Sequence, residues 1–279
     1  MGGRKRSGGR WKASAFANAA RNAVFAALLA QRGMSGPAPL FEGDKGFMKL
    51  VSGPFELPPL GREVIQGESS GRFKILETYI KHFPVEYHAQ TAVEAALALR
   101  KELIEAEGPD VIDHLSEIEI GSYDVAIEII GRDPEKWQPA SRETADHSFP
   151  YCVAVALRDG RVTLHSFIEK RLGDPALREL MKKTRVVREP EFVDRYPESM
   201  PTRITVRTQA GRSYRKQVDI PLGHPLHPMS DREVEEKFRR LVQGRLPRLR
   251  VSKLLDAVWT LDQAKDLSGL VSLLKVKHG

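Results

Sequence analysis

The spacing of apolar residues changes twice along this chain, and no other feature of the sequence limits its fold as much. Residues 13–32 carry apolar side chains three and four apart, which is the spacing of a helix with a buried face. Residues 115–122 alternate instead, with Ile118 and Ile120 set between glutamates, as in a half-buried strand. Helical spacing returns after Pro221. The order predicts an α+β module inserted into a helical domain, and therefore an α+β fold.

The other segments with regular spacing fit the same order. Turn residues, mainly glycine and proline, separate them. Two β-rich runs that flank Gly211 indicate an antiparallel hairpin. Helices are predicted at residues 88–107, 144–159, 231–242, 251–259 and 263–274, an extended segment at 73–83, a connecting loop at 36–60, and hairpin strands at 203–208 and 214–220.

Composition and cysteine usage exclude several classes of protein. The chain has 279 residues, of which 41% are hydrophobic and 29% charged, and these values are typical of soluble globular proteins. Its one cysteine, Cys152, allows no intramolecular disulfide and no iron–sulfur cluster held by this chain alone. The sequence also lacks the clustered Cys/His spacing of a zinc site. We therefore expect a cytoplasmic protein. Its site is expected to work without a metal or other cofactor, with a metal borrowed through oxygen ligands as the alternative.

The excess of basic residues suits an anionic partner, but it does not distinguish between nucleic acid, an anionic membrane and a small polycarboxylate. Lysine and arginine number 44 against 37 acidic residues, a formal net charge of +7. Residues 1–9 place part of this excess among glycines, which predicts a disordered basic arm. The arm lacks the interleaved aromatic residues of a nucleic-acid surface, so no nucleic-acid partner is expected. No membrane partner is expected either, because Arg21 and Asn22 interrupt the apolar run at residues 13–30.

Four segments, taken in order, resemble the MmgE/PrpD family. The resemblance covers about residues 10–275. The segments are Arg10-Trp11-Lys12 with the alanine-rich helix and the Phe41-Glu42-Gly43 triplet that follow it, Lys81-His82-Phe83-Pro84-Val85-Glu86-Tyr87-His88, Thr144-Ala145-Asp146-His147-Ser148-Phe149-Pro150-Tyr151, and Met229-Ser230-Asp231-Arg232-Glu233-Val234.

The resemblance implies a particular domain organisation. Family members are similar in having an all-helical domain, built from both chain ends, with a smaller α+β lid domain inserted, and they have further helical sequence before the first lysine segment. On this basis residues 10–76 are a remnant of an incomplete helical domain, residues 77–224 are the lid, and residues 225–279 return to the helical domain. Intact members are expected to form homodimers.

The activity that the resemblance implies is that of a lyase. It would eliminate water from 2-methylcitrate, a small tricarboxylate, to give 2-methylaconitate in propionate breakdown. Two kinds of alternative stay open. One is a sibling activity within the family, such as cis-aconitate decarboxylation or epimerisation of similar acids. The other is a non-catalytic remnant, or one half of a split enzyme.

Two lysines match active-site lysines of the family. Elimination of water next to a carboxylate needs a base, a general acid and cations for the carboxylates. Lys12 matches the first family lysine and is predicted to be catalytic, and Lys81 matches the second, where it suits a clamp on a substrate carboxylate. The alternative for both is an ordinary solvated lysine.

The predicted site has four further members. Tyr151 and His147 lie four apart on the predicted 144–159 helix, so both are expected in one cleft, with Tyr151 as proton donor. The alternative is that the phenol packs and the imidazole caps a helix. Glu86 and His88 are predicted to bind substrate, although His88 also fits a plain polar residue at a helix start. Some family relatives with decarboxylase activity carry a histidine at the Glu86 position, which favours the dehydratase. His224 and its neighbours are expected in a hinge or loop.

Overall fold

A computed structural model describes residues 11–56 and 74–275. The chain divides into two compact units, Met1–Leu76, called unit 1 below, and Glu77–Gly279, called unit 2. The predicted basic arm at residues 1–9 lies outside the described part. In that part, no helix has the length and apolar character needed to cross a membrane.

Unit 1 contains one long helix and a loop. Helix α1 spans Trp11–Gln31, as predicted, and a π-helical turn at Met48–Ser52 lies within the predicted loop. The prediction that α1 is buried is wrong. Phe16 is 87% exposed, and the apolar side chains one and two turns further along are also exposed. Helical spacing specified the helix, but no described element covers its apolar face.

Unit 2 is built on a four-stranded mixed sheet, which confirms the α+β class. The strand order is β2-β1-β3-β4, with β1 and β2 parallel and the other pairs antiparallel. The predicted bounds of β1 and of the hairpin agree with the structure to within two residues, whereas β2 was not predicted. The strands are β1 (Leu115–Ser122), β2 (Thr184–Arg188), β3 (Thr202–Thr208) and β4 (Ser213–Val218).

Seven helices of more than one turn are described in unit 2. Two of them, α2 and α4, pack against each other and lie over one face of the sheet. They are α2 (Ala89–Glu107), α3 (Asp124–Ile130), α4 (Phe149–Asp159), α5 (Pro175–Lys182), α6 (Asp231–Val242), α7 (Arg248–Trp259) and α8 (Ser268–Leu274).

The core of unit 2 lies between the sheet and α2. Leu99 and Leu103 of α2 are fully buried, as the helical spacing predicted. They share one core with Ile118 of β1 and the inward residues of β3, which alternate with polar residues on the opposite face. That opposite face is polar, and Arg185 forms ion pairs there with glutamates of β1. One face of the sheet is therefore sealed by helices and the other faces solvent.

Two segments differ from their predictions. The predicted helix at residues 144–159 is interrupted, because α4 begins only after Ser148, whose side chain accepts a hydrogen bond from the Tyr151 amide at 3.1 Å. This N-cap, with Pro150 in the first turn, favours a new helix start. The described residues of the predicted extended segment at 73–83 form a 3₁₀ turn at Lys74–Glu77 and then run without regular structure, because no described strand pairs with them.

The C-terminal helices form where predicted, apart from a late start of α8. Ser230 and Glu233 form a reciprocal capping box at the start of α6. A 3₁₀ turn, Leu261–Gln263, stands where the start of α8 was predicted. The structure includes α6, α7 and α8 in unit 2. Their return to a helical domain and the role of residues 77–224 as a lid stay predictions.

Candidate functional site

The segment that leads into α2 is held in a fixed loop by one buried side chain. The Gln90 amide oxygen accepts from the Phe83 amide at 3.0 Å, and its nitrogen donates to the Phe83 and Val85 carbonyls at 3.0 and 3.2 Å. Gln90 is only 2% exposed. Lys81 Nζ donates to the Val85 carbonyl at 2.9 Å. Lys81 and the residues that follow it are therefore positioned by a network rather than by helix or strand geometry.

Glu86 connects this loop to the segment before α4. Its amide donates to the Asp146 carbonyl at 2.8 Å, and its carboxylate accepts from the His88 amide at 2.6 Å. The first bond brings two predicted site residues, Glu86 and His147, into neighbouring positions from distant parts of the sequence.

His147 forms a pair with the residue before it. Its Nδ1 lies 2.5 Å from Asp146 Oδ1, and both side chains are about one quarter to one third exposed. A carboxylate only accepts, so Asp146 holds the proton on Nδ1 and leaves Nε2 as the free basic nitrogen. Because His147 precedes α4, it does not share a continuous helical face with Tyr151, contrary to the prediction.

His88 is buried at the start of α2, with Tyr123 as its partner. Its Nδ1 lies 2.5 Å from the Tyr123 hydroxyl, and the Tyr123 ring stacks on Tyr196 with centroids 4.9 Å apart. Burial lowers the pKa of His88, although Glu86 opposes the shift. Burial also raises the pKa of Tyr123. A neutral imidazole that accepts from a protonated phenol is the arrangement these shifts favour.

A smaller aromatic group lies beside the loop. Tyr79 packs on His224 with ring centroids 4.5 Å apart and on Tyr87 at 5.2 Å. These rings and Lys81 line a cavity of about 10 Å³, which is close to the space of one water molecule. His224 lies in a turn, and burial lowers its pKa. This cavity is too small for a tricarboxylate.

Tyr151 is buried in the first turn of α4. It is 1% exposed, and its hydroxyl donates to the Ser166 carbonyl at 2.7 Å. Burial raises the pKa of its phenol. Its polar partner and its ring partner, Phe167, both lie outside the segment that leads into α2. The backbone of Lys12 lies in α1, and its side chain is outside the described part of the chain.

The structure thus groups Lys81, Glu86, His88 and His147, and it adds residues that sequence reasoning missed. Asp146 lay inside a segment that carried the resemblance, and its position next to a histidine was an available signal. Tyr123 gave no such signal, because its contact with His88 joins residues 35 positions apart. In residues 11–56 and 74–275, no group of three or more His, Cys, Asp or Glu side chains is arranged to hold a metal ion.

Comparison with protein families agrees with this architecture. Residues 83–263 match the MmgE/PrpD C-terminal domain, and residues 3–60 match the MmgE/PrpD N-terminal domain. The first match includes the sheet and the helices around it. The chain belongs to the MmgE/PrpD family, which confirms the resemblance read from the sequence.

Individual relatives carry two different names. The mouse cis-aconitate decarboxylase is 28% identical over 261 residues, covering 92% of this chain and 51% of the relative. The 2-methylcitrate dehydratase of Cupriavidus necator is 31% identical over 267 residues, with coverages of 92% and 52%. The mitochondrial 2-methylcitrate dehydratase of Yarrowia lipolytica is 30% identical over 256 residues, with coverages of 88% and 46%. The chain spans about half the length of the curated relatives it matches.

Proposed function

We propose that this chain supplies the C-terminal part of a hydro-lyase site that removes water from 2-methylcitrate to give 2-methylaconitate. The observation that supports it most is the gathering of Lys81, Glu86 and the Asp146–His147 pair at the start of α2. These residues come from two segments that carried the family resemblance, and several relatives are named 2-methylcitrate dehydratase.

The chemistry of elimination assigns a task to each group. His147, oriented by Asp146, takes the proton next to a carboxylate, and the electron pair forms the carbon–carbon double bond. Hydroxide leaves the adjacent carbon and needs a proton. Tyr151 is the predicted donor, and this role requires its hydroxyl to leave the Ser166 carbonyl. The Lys81 ammonium, with two N–H donors beyond the one used on Val85, holds a carboxylate.

Cis-aconitate decarboxylation is the second candidate. It is favoured by the mouse and human relatives of that name, which are 28% and 27% identical to this chain. Glu86 argues against it within the family resemblance, because some relatives with decarboxylase activity carry a histidine there. The two reactions differ in product, so one assay separates them.

The test measures absorbance at 240 nm for the conjugated product of 2-methylcitrate, and carbon dioxide release from cis-aconitate. Both are measured on this chain and on a version joined to the N-terminal helices of a full-length relative. We expect 240 nm product from the joined version, and a loss of about 100-fold or more in kcat/KM in Lys81→Gln. Lys101→Gln, on the exposed face of α2, serves as the matched control and should keep full activity.

Three outcomes decide against the proposal. Carbon dioxide release without 240 nm product would assign the decarboxylase. Inactivity of the joined version towards both substrates would favour a non-catalytic remnant. Equal activity of the Lys81 and Lys101 variants would remove Lys81 from the site. The homodimer and the cytoplasmic location stay predictions.

A further inference from the structure

Helix α6 brings cations to the loop that holds Lys81. Lys237 Nζ donates to the Lys81 carbonyl, although the two residues are 156 positions apart. The two ammonium groups each use one of three N–H donors on a backbone carbonyl, so each keeps two for a ligand. We call the following four residues the cationic corner: Lys81, His82, Lys237 and Arg240.

The cationic corner has no carboxylate counterion of its own among the described residues. Glu94 and Glu233 are the acidic groups that act on His82. Glu94 accepts from the Leu222 amide at 3.0 Å, and Glu233 accepts from the amide and hydroxyl of Ser230 at 2.8 and 2.7 Å. Neither forms an ion pair with a cation of the corner. No ion pair among the described residues therefore neutralises its positive charges.

The positive charges act on one another. Partial burial lowers the pKa of Lys237, and the neighbouring cations Lys81 and Arg240 lower it further. Holding like charges together in a partly buried place is unfavourable unless an anion joins them. A bound anion would therefore stabilise this arrangement of cations.

His82 supplies a second, independent observation. Its Nδ1 is buried and has no hydrogen-bond partner in the described part of the chain. Buried polar atoms without a partner are uncommon and call for an explanation, such as a ligand that is absent. Its ring is half-buried and follows Lys81 directly in the chain, and Lys237 is close enough to act on its charge.

We infer that the cationic corner binds a carboxylate group of a small polycarboxylate, and that α6 thereby supplies residues to the site at the start of α2. This inference rests on the proposed function and extends it. A carboxylate suits the corner, since it only accepts hydrogen bonds and each ammonium group keeps N–H donors for its oxygens. A nucleic acid would instead need cations spaced along an extended surface.

The test is calorimetric titration of the full chain with propane-1,2,3-tricarboxylate, which has no hydroxyl group to eliminate and so reports binding alone. We expect Lys237→Gln to weaken binding about tenfold, as loss of a charged hydrogen bond does. Lys237→Arg should recover most of the affinity. Lys253→Gln, an exposed lysine on α7, makes the same charge change elsewhere and should alter binding less than about twofold. Thermal melting checks that the variants fold.

Several results would overturn the inference. These are no binding by the unaltered chain, equal effects of Lys237→Gln and Lys253→Gln, or equally tight binding of inorganic phosphate. If Lys237→Gln does not fold, the exposed Arg240→Gln variant takes its place with the same expectation. Failure of the proposed function is seen separately, because an inactive chain whose tricarboxylate binding still depends on Lys237 leaves the inference standing.

Discussion

Helices α1 and α2 have similar lengths, 21 and 19 residues, and both are rich in alanine with larger apolar residues three and four apart. Their surroundings differ. In α2, Leu99 and Leu103 are fully buried against the sheet and α4. In α1, Phe16, Val24 and Leu28 are between 53% and 87% exposed.

The comparison separates two things that periodicity is often asked to predict together. A helical pattern specifies which face of a helix is apolar, because that depends only on backbone geometry. Whether the face is buried depends on another element that covers it. The sheet of unit 2 provides such an element for α2, and nothing described in the structure provides one for α1.

The largest expected effect tests this contrast directly. Leu99→Ala removes a fully buried side chain and should lower the free energy of unfolding by about 2–5 kcal/mol. Leu28→Ala is the same change at a residue that is 53% exposed, and should stay within about 0.5 kcal/mol. Urea unfolding followed by circular dichroism measures both. A large loss in Leu28→Ala would mean that α1 is covered in solution.

The fold of unit 2 could be predicted to a large extent because its signals are local. β1 and the hairpin strands alternate clearly, and a glycine and a charge lie in the turn between β3 and β4. β2 has no comparable signal. Its five residues include two arginines, and it becomes a strand because β1 offers a parallel partner after a long crossover. Such pairing cannot be read from the short segment itself.

A second pair of changes compares two glycines with similar positive φ angles. Gly33 in unit 1 has φ +88° with open space around it, and Gly223 in unit 2 has φ +93°. A methyl group on Gly223 would lie 1.9 Å from the Ile80 carbonyl oxygen. Gly223→Ala should therefore cost roughly 2–4 kcal/mol, and Gly33→Ala about 1 kcal/mol.

Thermal unfolding of both variants measures this difference, and activity adds a second readout. The Ile80 amide donates to the Gly223 carbonyl, so Gly223→Ala should also displace Lys81 and lower the activity of the joined enzyme. Equal losses of unfolding free energy in the two variants would show that the loop before Lys81 changes conformation easily. In that case the loop would not be a rigid support for the site.

The candidate site could be predicted only in part. The resemblance singled out Lys81, Glu86 and His147, and the structure brings their segments together. The placement of His147 and Tyr151 on one helical face was predicted for an unbroken helix. It failed because α4 begins only after Ser148. Contacts such as that of Lys237 with Lys81 join residues too distant in sequence for any spacing rule.

A third change sharpens the contrast within unit 2, where a buried polar group must be paired. Tyr151→Phe removes the hydroxyl that donates to the Ser166 carbonyl and leaves that acceptor without its partner. We expect a loss of about 1–3 kcal/mol in unfolding free energy. If Tyr151 is the proton donor, kcat of the joined enzyme falls as well. Unchanged kcat with reduced stability would restrict Tyr151 to a packing role.

The smallest expected effect again separates the units, because all eight histidines lie after residue 76. Burial lowers the pKa of His88 below that of the unfolded chain, so the unfolded state binds more protons just below the ordinary histidine pKa. The free energy of unfolding should therefore be independent of His88 titration above pH 7. It should fall as the pH drops through 6.5 towards the folded-state pKa of His88. The slope for one histidine is at most about 1.4 kcal/mol per pH unit. Urea unfolding of the full chain and of His88→Gln between pH 7.5 and 5.5 measures it, and a slope unchanged by the substitution would show that His88 is not buried in neutral form.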